Sequence, residues 1–447
     1  MTVPILYSRP GAGTIRLAVI ELASTSPHPV GDLVLNPGGP GASGVQFLEA
    51  TRTAYPASLR AAFNLVSFDP RGIGESAPLN CGSFSELRSF TEVNPAPSTP
   101  AEVTAVIAET KKFVAVCQAD SPRTLLDHVG TADTAQDLDR LRAALGDPKL
   151  TYMGFSYGTY LGELYAAKYP AHIRAMVLDG AIDPALGSTQ SAEQQADGFE
   201  QDLRAFFSWC AGTSSCSSSL PATPVASYDE LFSRLESGAV IPSDGGSPDA
   251  GLPAVNLGVA EVGVISTLYT SSTWSVLGEA LSAALRGDGT ALSRLALAYE
   301  GLSTTGVTSN IIAANTAINC EDSGALGSIA AYEALARKLA VRAPNFGPSE
   351  AWGSFTCKYW GVHPGAHPRA VSDKGAPPIV VIGATEDPAT PYSWAQGVAR
   401  QLSHGVLLTR TGVGHTSYFY SSCVQSAVDS YLLTLLPPRP GTVCATS

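Results

Sequence analysis

Three residues of this chain have the types and settings that nucleophilic chemistry needs: Ser156, Asp387 and His415. Ser156 is the centre of Gly154-Phe155-Ser156-Tyr157-Gly158, between a short apolar run, Leu150 to Met153, and an amphipathic one, Thr159 to Tyr169. Read locally, that is strand, sharp turn, helix. The glycines are needed because side chains there would strike the neighbouring strand and helix. Such a turn strains the serine backbone and pushes its hydroxyl above the sheet edge. The helix start adds a free N–H and a positive dipole end, both suited to an oxyanion.

A serine hydroxyl is a weak nucleophile at neutral pH; it needs a positioned base, and the base needs an acid to fix its tautomer. Of seven histidines, His28, His128, His172, His363, His367, His404 and His415, only His415 follows a late strand in a glycine-flanked loop, Gly412-Val413-Gly414-His415. His404 precedes that strand and belongs at the opposite sheet edge, while His363 and His367 lie in a Pro-rich stretch. The acid should follow a strand upstream of the base, as Asp387 does; adjacent Glu386 and earlier Asp183 are its rivals. The order Ser156…Asp387…His415 is that of α/β-hydrolases. Thr390 either hydrogen-bonds the Asp387 carboxylate or caps a helix. For the oxyanion, one donor is the N–H of Tyr157; the other should come from the Gly38-Gly39-Pro40-Gly41 loop, Gly39 first and Gly38 second. Asp69, Arg71 and Glu75 form a charged trio, read as a buried brace in preference to a ligand contact. This chemistry uses only water, so no metal or organic cofactor is called for.

Buried strands must position these groups. Thr14 to Leu22 reads as an early strand, and Leu33 to Asn36 and Leu65 to Phe68 as strands ending in Pro37-Gly38-Gly39-Pro40-Gly41 and Asp69-Pro70-Arg71-Gly72. Thr134 to Leu145 has leucines at helical spacing, and Ala175 to Leu178 is the next strand. The alternation predicts a mostly parallel sheet with helices on both faces, an α/β-hydrolase fold. From about Leu186 to Ala376 the pattern turns helical, with Ser/Thr/Gly-rich joints; strands return at Pro378 to Ile382 and Gly405 to Leu408, before a helix at about Cys423 to Leu435. We therefore expect an N-terminal core part over 1–185, a helical cap over 186–376 inserted between sheet strands, and a C-terminal core part over 377–447.

A chain of 447 residues exceeds the usual single-core limit, consistent with such an insertion. Its net charge of −12 argues against nucleic acid and anionic membranes as partners. No apolar segment approaches the ~18 residues that span a bilayer. The start, Met1-Thr2-Val3-Pro4, has no leader features, so the protein is either cytosolic or shown without a leader. Eight cysteines, Cys81, Cys117, Cys210, Cys216, Cys320, Cys357, Cys423 and Cys444, form no metal-like cluster; their even number favours export, while spacing leaves the pairing open.

Taken together, these stretches resemble the tripeptidyl aminopeptidase branch of the prolyl-aminopeptidase-like serine peptidases. The resemblance rests on Val3-Pro4 to Tyr7, Asn36 to Gly41, Asp69 to Ser76, the Ser156 elbow, Leu178-Asp179-Gly180, Ala317-Ile318-Asn319-Cys320-Glu321-Asp322, the Asp387 segment, Gly414-His415 and the Cys423…Cys444 ending. It implies a secreted, bacterial exopeptidase that removes short peptides, as tripeptides, from free N-termini, and it favours sequential disulfides. Peptide or small-molecule substrates and a monomer are expected. An exopeptidase must read the free amine, and Glu321 and Asp322 are candidates for the carboxylate that does so. An esterase or amide hydrolase for a small metabolite is the alternative, because an elbow does not separate amides from esters.

Overall fold

The computed structural model describes residues 1–243, 251–361 and 369–445. At its centre is an eight-stranded sheet of β1 (Val19–Leu22), β2 (Gly31–Asn36), β3 (Phe63–Phe68), β4 (Leu150–Phe155), β5 (Ile173–Asp179), β6 (Ile379–Glu386), β7 (Gly405–Val413) and β8 (Val443–Cys444). Their spatial order is β8-β7-β6-β5-β4-β2-β3-β1. Only β1 runs antiparallel, against β3. This is an α/β-hydrolase sheet.

Every residue of β4 is buried, which is why the segment reads as an apolar run and not as an alternating one. Leu33 and Leu35 of β2 pack with Met153 and Val177 on one face, while Val34 joins Tyr152 and Met176 on the other. Each such side chain contributes roughly 1.5–3 kcal/mol on burial. The register matters for function. Asn36 lies opposite Gly154, Phe155 opposite Asp179, and Asp179 opposite Ile382. The C-terminal ends of four strands are therefore level, and the loops that leave them meet at one edge.

Seven helices concern the site: α1 (Gly44–Thr51) after β2, α2 (Thr131–Leu145), α3 (Tyr157–Lys168) after β4, α4 (Ser188–Gly212), α5 (Leu257–Leu268), α6 (Ile311–Asp322), and α7 (Tyr392–Gln401) after β6. Between β5 and β6 the described chain is helical apart from one two-residue pair, Leu302–Ser303 with Gly306–Val307, and a single bridge. This stretch buries a core of its own, which includes Phe199, Phe206, Leu231, Val264 and Leu277.

The single early strand expected over Thr14 to Leu22 is two. Thr14–Arg16 pairs with Thr2–Pro4, and Val19–Leu22 joins the sheet. The ladder breaks because the Leu17 N–H donates to the Met1 carbonyl and the Ala18 N–H to the Ser76 hydroxyl. Four disulfides join Cys81–Cys117, Cys210–Cys216, Cys320–Cys357 and Cys423–Cys444, the sequential pairing. Among the described residues no helix is long and apolar enough to cross a membrane.

Candidate active site

Ser156 sits between β4 and α3 at φ 53°, ψ −125°, a positive-φ conformation in which a residue with a Cβ is strained. Its N–H donates to the Asp179 carbonyl at 2.8 Å, and its own carbonyl accepts the Thr159 N–H at 2.8 Å, so both neighbours hold the turn. Gly154 is obligatory for space: a Cβ there would lie 2.3 Å from the Gly158 carbonyl oxygen. The N–H groups of Tyr157 and Gly39 make no hydrogen bond among the described residues. Gly38 differs, since its N–H donates to Asn36 Oδ1 at 3.0 Å. Of the two loop glycines, Gly39 is the one with a donor to spare, and it lines the same cavity as Ser156.

His415 and Asp387 are both buried and in contact. His415 Nδ1 lies 2.8 Å from Asp387 Oδ1 and 3.0 Å from Oδ2. The carboxylate also accepts N–H bonds from Ala389 at 3.0 Å, Thr390 at 2.8 Å and Thr416 at 3.3 Å. Those amides fix its plane. The other ring nitrogen, Nε2, is buried without a hydrogen-bond partner. It shares the cavity wall with Ser156 but no hydrogen bond joins the two, and such contacts often tighten only once substrate is bound. Tyr269 packs edge-on to the imidazole at 5.4 Å. A serine beside an imidazole whose far nitrogen is held by a carboxylate has the parts of acyl transfer.

Other candidates lie elsewhere. Glu386 meets this loop only through its carbonyl, which accepts the Gly414 N–H. Asp183 accepts from Gln401 Nε2 at 2.7 Å and the Ala185 N–H at 2.9 Å. His404 is at the start of β7 with Nδ1 3.2 Å from the Ala376 carbonyl, while His363 and His367 fall outside the described residues. Thr390 does hydrogen-bond the Asp387 carboxylate, through its backbone N–H at 2.8 Å, while its hydroxyl is 3.3 Å from His415 Nδ1; Pro391, not Thr390, occupies the cap position of α7. Arg71 is a buried brace, but its partner is Asp137, with two contacts of 2.7 Å, and not Asp69 or Glu75. Asp69 instead accepts from Ser43, Val45 and Glu75.

Glu321 and Asp322 end α6 and tie to the start of α2. Glu321 accepts the Gly130 N–H, while Asp322 accepts the Thr131 N–H at 2.9 Å and the Thr131 hydroxyl. That hydroxyl also contacts the Tyr157 phenol. Burial pushes the Glu321 carboxyl up to about 8 and that of Asp322 up to about 6. Only Asp322 of the pair lines a cavity.

Two cavities adjoin at the strand ends, sharing Phe90, Asn315 and Thr316. The first, of about 480 Å³, is the more polar of the two and carries acidic groups, with Asp183, Asp322 and Glu350 in its wall beside Tyr157 and Asn319. Burial pushes the Glu350 carboxyl up to about 7. The second, of about 840 Å³, holds Ser156, Gly39 and His415 and is walled by aromatic residues, among them Phe47, Phe155, Tyr269, Tyr299 and Phe419. Sequence reasoning did not single out Asn315 or Glu350. Asn315 stands two residues before the Ala317-Ile318-Asn319-Cys320 stretch, but Glu350, in a short helix, has no local signal.

Known proteins share this sequence pattern. Residues 33–244 match the family described as alpha/beta hydrolase fold, and residues 343–444 match the one described as TAP-like protein. The chain is 35% identical to serine protease Hip1 of Mycobacterium tuberculosis, with 99% of this chain and 86% of that one aligned. It is 31% identical to a tripeptidyl aminopeptidase of Streptomyces lividans, over 100% and 83% of the two chains. Carboxylesterase B of M. tuberculosis is 35% identical, over 98% and 84%.

Proposed function

Because the chain belongs to the tripeptidyl aminopeptidase branch of the α/β-hydrolases, with their TAP-like C-terminal region, we propose that it is an exported serine aminopeptidase that releases short peptides, as tripeptides, from free N-termini. Ser156 is the nucleophile. His415 Nε2 takes its proton as the hydroxyl attacks the scissile carbonyl, and later delivers that proton to the leaving amine. Asp387 keeps the remaining proton on Nδ1, so that Nε2 is the basic nitrogen, and it offsets the charge of the imidazolium. The N–H groups of Tyr157 and Gly39 receive the oxyanion, a contribution of about 2.7–4 kcal/mol per donor in comparable sites. Water then repeats the sequence on the acyl-enzyme. The helical segment 186–376 acts as the cap that supplies the substrate subsites.

The observation that carries the exopeptidase reading is the acidic cavity beside the nucleophile. An N-terminal ammonium placed there meets Asp322 and Glu350, whereas a blocked terminus brings no charge to justify burying them. Glu321 stays a support for Asp322, since its carboxylate is turned to Gly130. The open aromatic cavity gives the rest of the polypeptide a way out. Four disulfides and a net charge of −12 suit a protein that works outside the reducing cytosol and acts as a monomer on peptides.

The test is a panel of free and N-acetylated mono-, di- and tripeptide chromogenic amides, with aryl esters alongside. An organophosphonate should label Ser156 stoichiometrically, and Ser156→Ala should lower kcat by about 10⁴–10⁶-fold. Equal turnover of free and acetylated peptides would end the aminopeptidase reading. The apolar cavity favours one second reading, an esterase for bulky small molecules, which predicts fast aryl-ester turnover and indifference to acetylation.

A further inference from the structure

Asp179, the last residue of β5, is fully buried and touches both halves of the site. Its backbone carbonyl accepts the Ser156 N–H at 2.8 Å. Its side-chain Oδ2 accepts the N–H groups of Ser417 at 2.9 Å and Tyr418 at 2.8 Å, in the loop that carries His415. The next residue, Gly180, is at φ +72°, and a Cβ there would stand 3.1 Å from His415 Cε1, so the imidazole rests on the end of this strand. From the other side Arg410, buried in β7, donates to the carbonyls of Val413 at 3.0 Å, Gly414 at 2.7 Å and Thr416 at 3.2 Å, and to Ser417 Oγ at 3.1 Å. The loop is held by its carbonyls to a cation and by its amides to a carboxylate.

We propose that Asp179 is a positioning residue that sets Ser156 and His415 in register and stands as a second carboxylate behind the imidazole. The inference rests on the reading of Ser156 as nucleophile and His415 as base. A neutral acceptor would serve to hold two amides. Asp179 instead leaves its Oδ1 buried and unpaired, a cost in stability that holding two amides does not explain. The use lies beside it, where the imidazolium forms. His415 faces Asp387, Asp179 and the Tyr269 ring; the Arg410 guanidinium acts on Asp387 and Asp179, and Asp202 of α4 faces Asp387, Glu386 and Arg410. Counting Asp387 against Arg410, the ionised Asp179 is the charge left to balance a protonated His415. Burial pushes the Asp179 carboxyl up to about 6, against the pull of the two amides and His415, so it is ionised at neutral pH.

The experiment measures kcat/KM from pH 5 to 9 for wild type, Asp179→Asn and Asp179→Glu, each rate divided by the sites labelled with an organophosphonate so that misfolded protein does not count. Asp179→Asn keeps an acceptor but loses the charge. It should turn over roughly 10–100-fold more slowly per site, with the acid limb moved to lower pH by about half a unit to one unit, because the imidazolium has lost a partner. Asp179→Glu should keep the limb and lose only the plateau. If Asp179→Asn loses activity while its limb stays on the wild-type curve, Asp179 is a structural tie and the proposal fails. Should neither variant fold, the ring resonances of His415 in the unaltered protein decide: two interacting groups give a curve with two inflections, and a one-proton curve overturns the proposal. Failure of the wild type to be labelled at Ser156 is a different result, which removes the nucleophile reading itself.

Discussion

Asn315 of α6 donates through Nδ2 to the carbonyl of Pro40 at 3.0 Å, so the helical segment between β5 and β6 holds the glycine loop that carries the Gly39 N–H. Asn319 in turn donates to Asn315 Oδ1 at 2.9 Å, which fixes the amide's orientation. Loosening this tie moves the Gly39 donor away from the developing oxyanion more than it disturbs the ground state. Asn315→Ala should therefore lower kcat by about 10-fold with a smaller change in KM. Steady-state kinetics on one free-amine peptide amide checks it; a pure KM effect would show that Asn315 acts only as a wall.

The acid can be separated from its neighbour. Asp387→Asn offers Nδ1 an amide in place of a carboxylate, which favours the wrong tautomer, so kcat should fall by about 10⁴-fold while the circular dichroism spectrum is kept. Glu386→Gln should stay within a few-fold of wild type, since that side chain makes no bond to the imidazole. A reversal of the two effects would reassign the acid.

Recognition of the free amine should depend on pH in a defined direction. Asp322 and Glu350 have carboxyls pushed up to about 6 and about 7, so on acidification through that range they become neutral and lose their hold on an ammonium. A peptide's α-amine loses its own proton above about 8. KM for free-amine substrates should be lowest near pH 7–8 and rise on either side, and KM for acetylated ones should be flat. Asp322→Asn or Glu350→Gln should cost about 10–1,000-fold in kcat/KM on free amines and little on a neutral ester. Acetylation and mutation should not add, because they remove one contact.

Stability carries a separate signature at Asp202, buried in α4 with neither oxygen hydrogen-bonded. Burial, with Asp387 and Glu386 nearby, pushes its carboxyl up to about 9, so from about pH 4 to 9 the folded state keeps a proton that the unfolded state has lost. Folding stability from this group falls as pH rises through that window. Asp202→Asn removes the dependence and should raise Tm more at pH 8 than at pH 5, the gain in folding free energy being on the order of 1–3 kcal/mol at the higher pH. Equal Tm shifts at both pH values would mean that Asp202 is ionised in the fold.

What the amino-acid order discloses here is local geometry and strand succession. The Ser156 turn is legible because Gly154 and Gly158 answer steric demands within five residues, and Asp387 and His415 because each follows a recognisable buried strand. Other features are contacts between distant segments with no local trace. Arg71 was legible as a brace, yet its partner Asp137 sits on a helix whose pattern speaks only of its leucines. The Thr390 hydroxyl meets the imidazole while the backbone N–H of the same residue bonds Asp387 Oδ1, a division that only the folded loops decide. Glu350 looks like any partly exposed helix acid until the fold turns it toward a cavity. The early strand divides at Leu17 and Ala18 because two tertiary acceptors, Met1 and Ser76, compete for its amides.

The long helical segment between β5 and β6 divides the reacting groups in time as well as in space. Ser156 is complete on strands that emerge early from the ribosome, while Asp387 and His415 arrive only with β6 and β7, which zip onto the edge left open at β5. A nascent or clipped chain that ends before β6 contains Ser156 but lacks both Asp387 and His415. On the proposed triad, hydrolysis would then require the last strands to dock, since they bring Asp387 and His415 to the sheet.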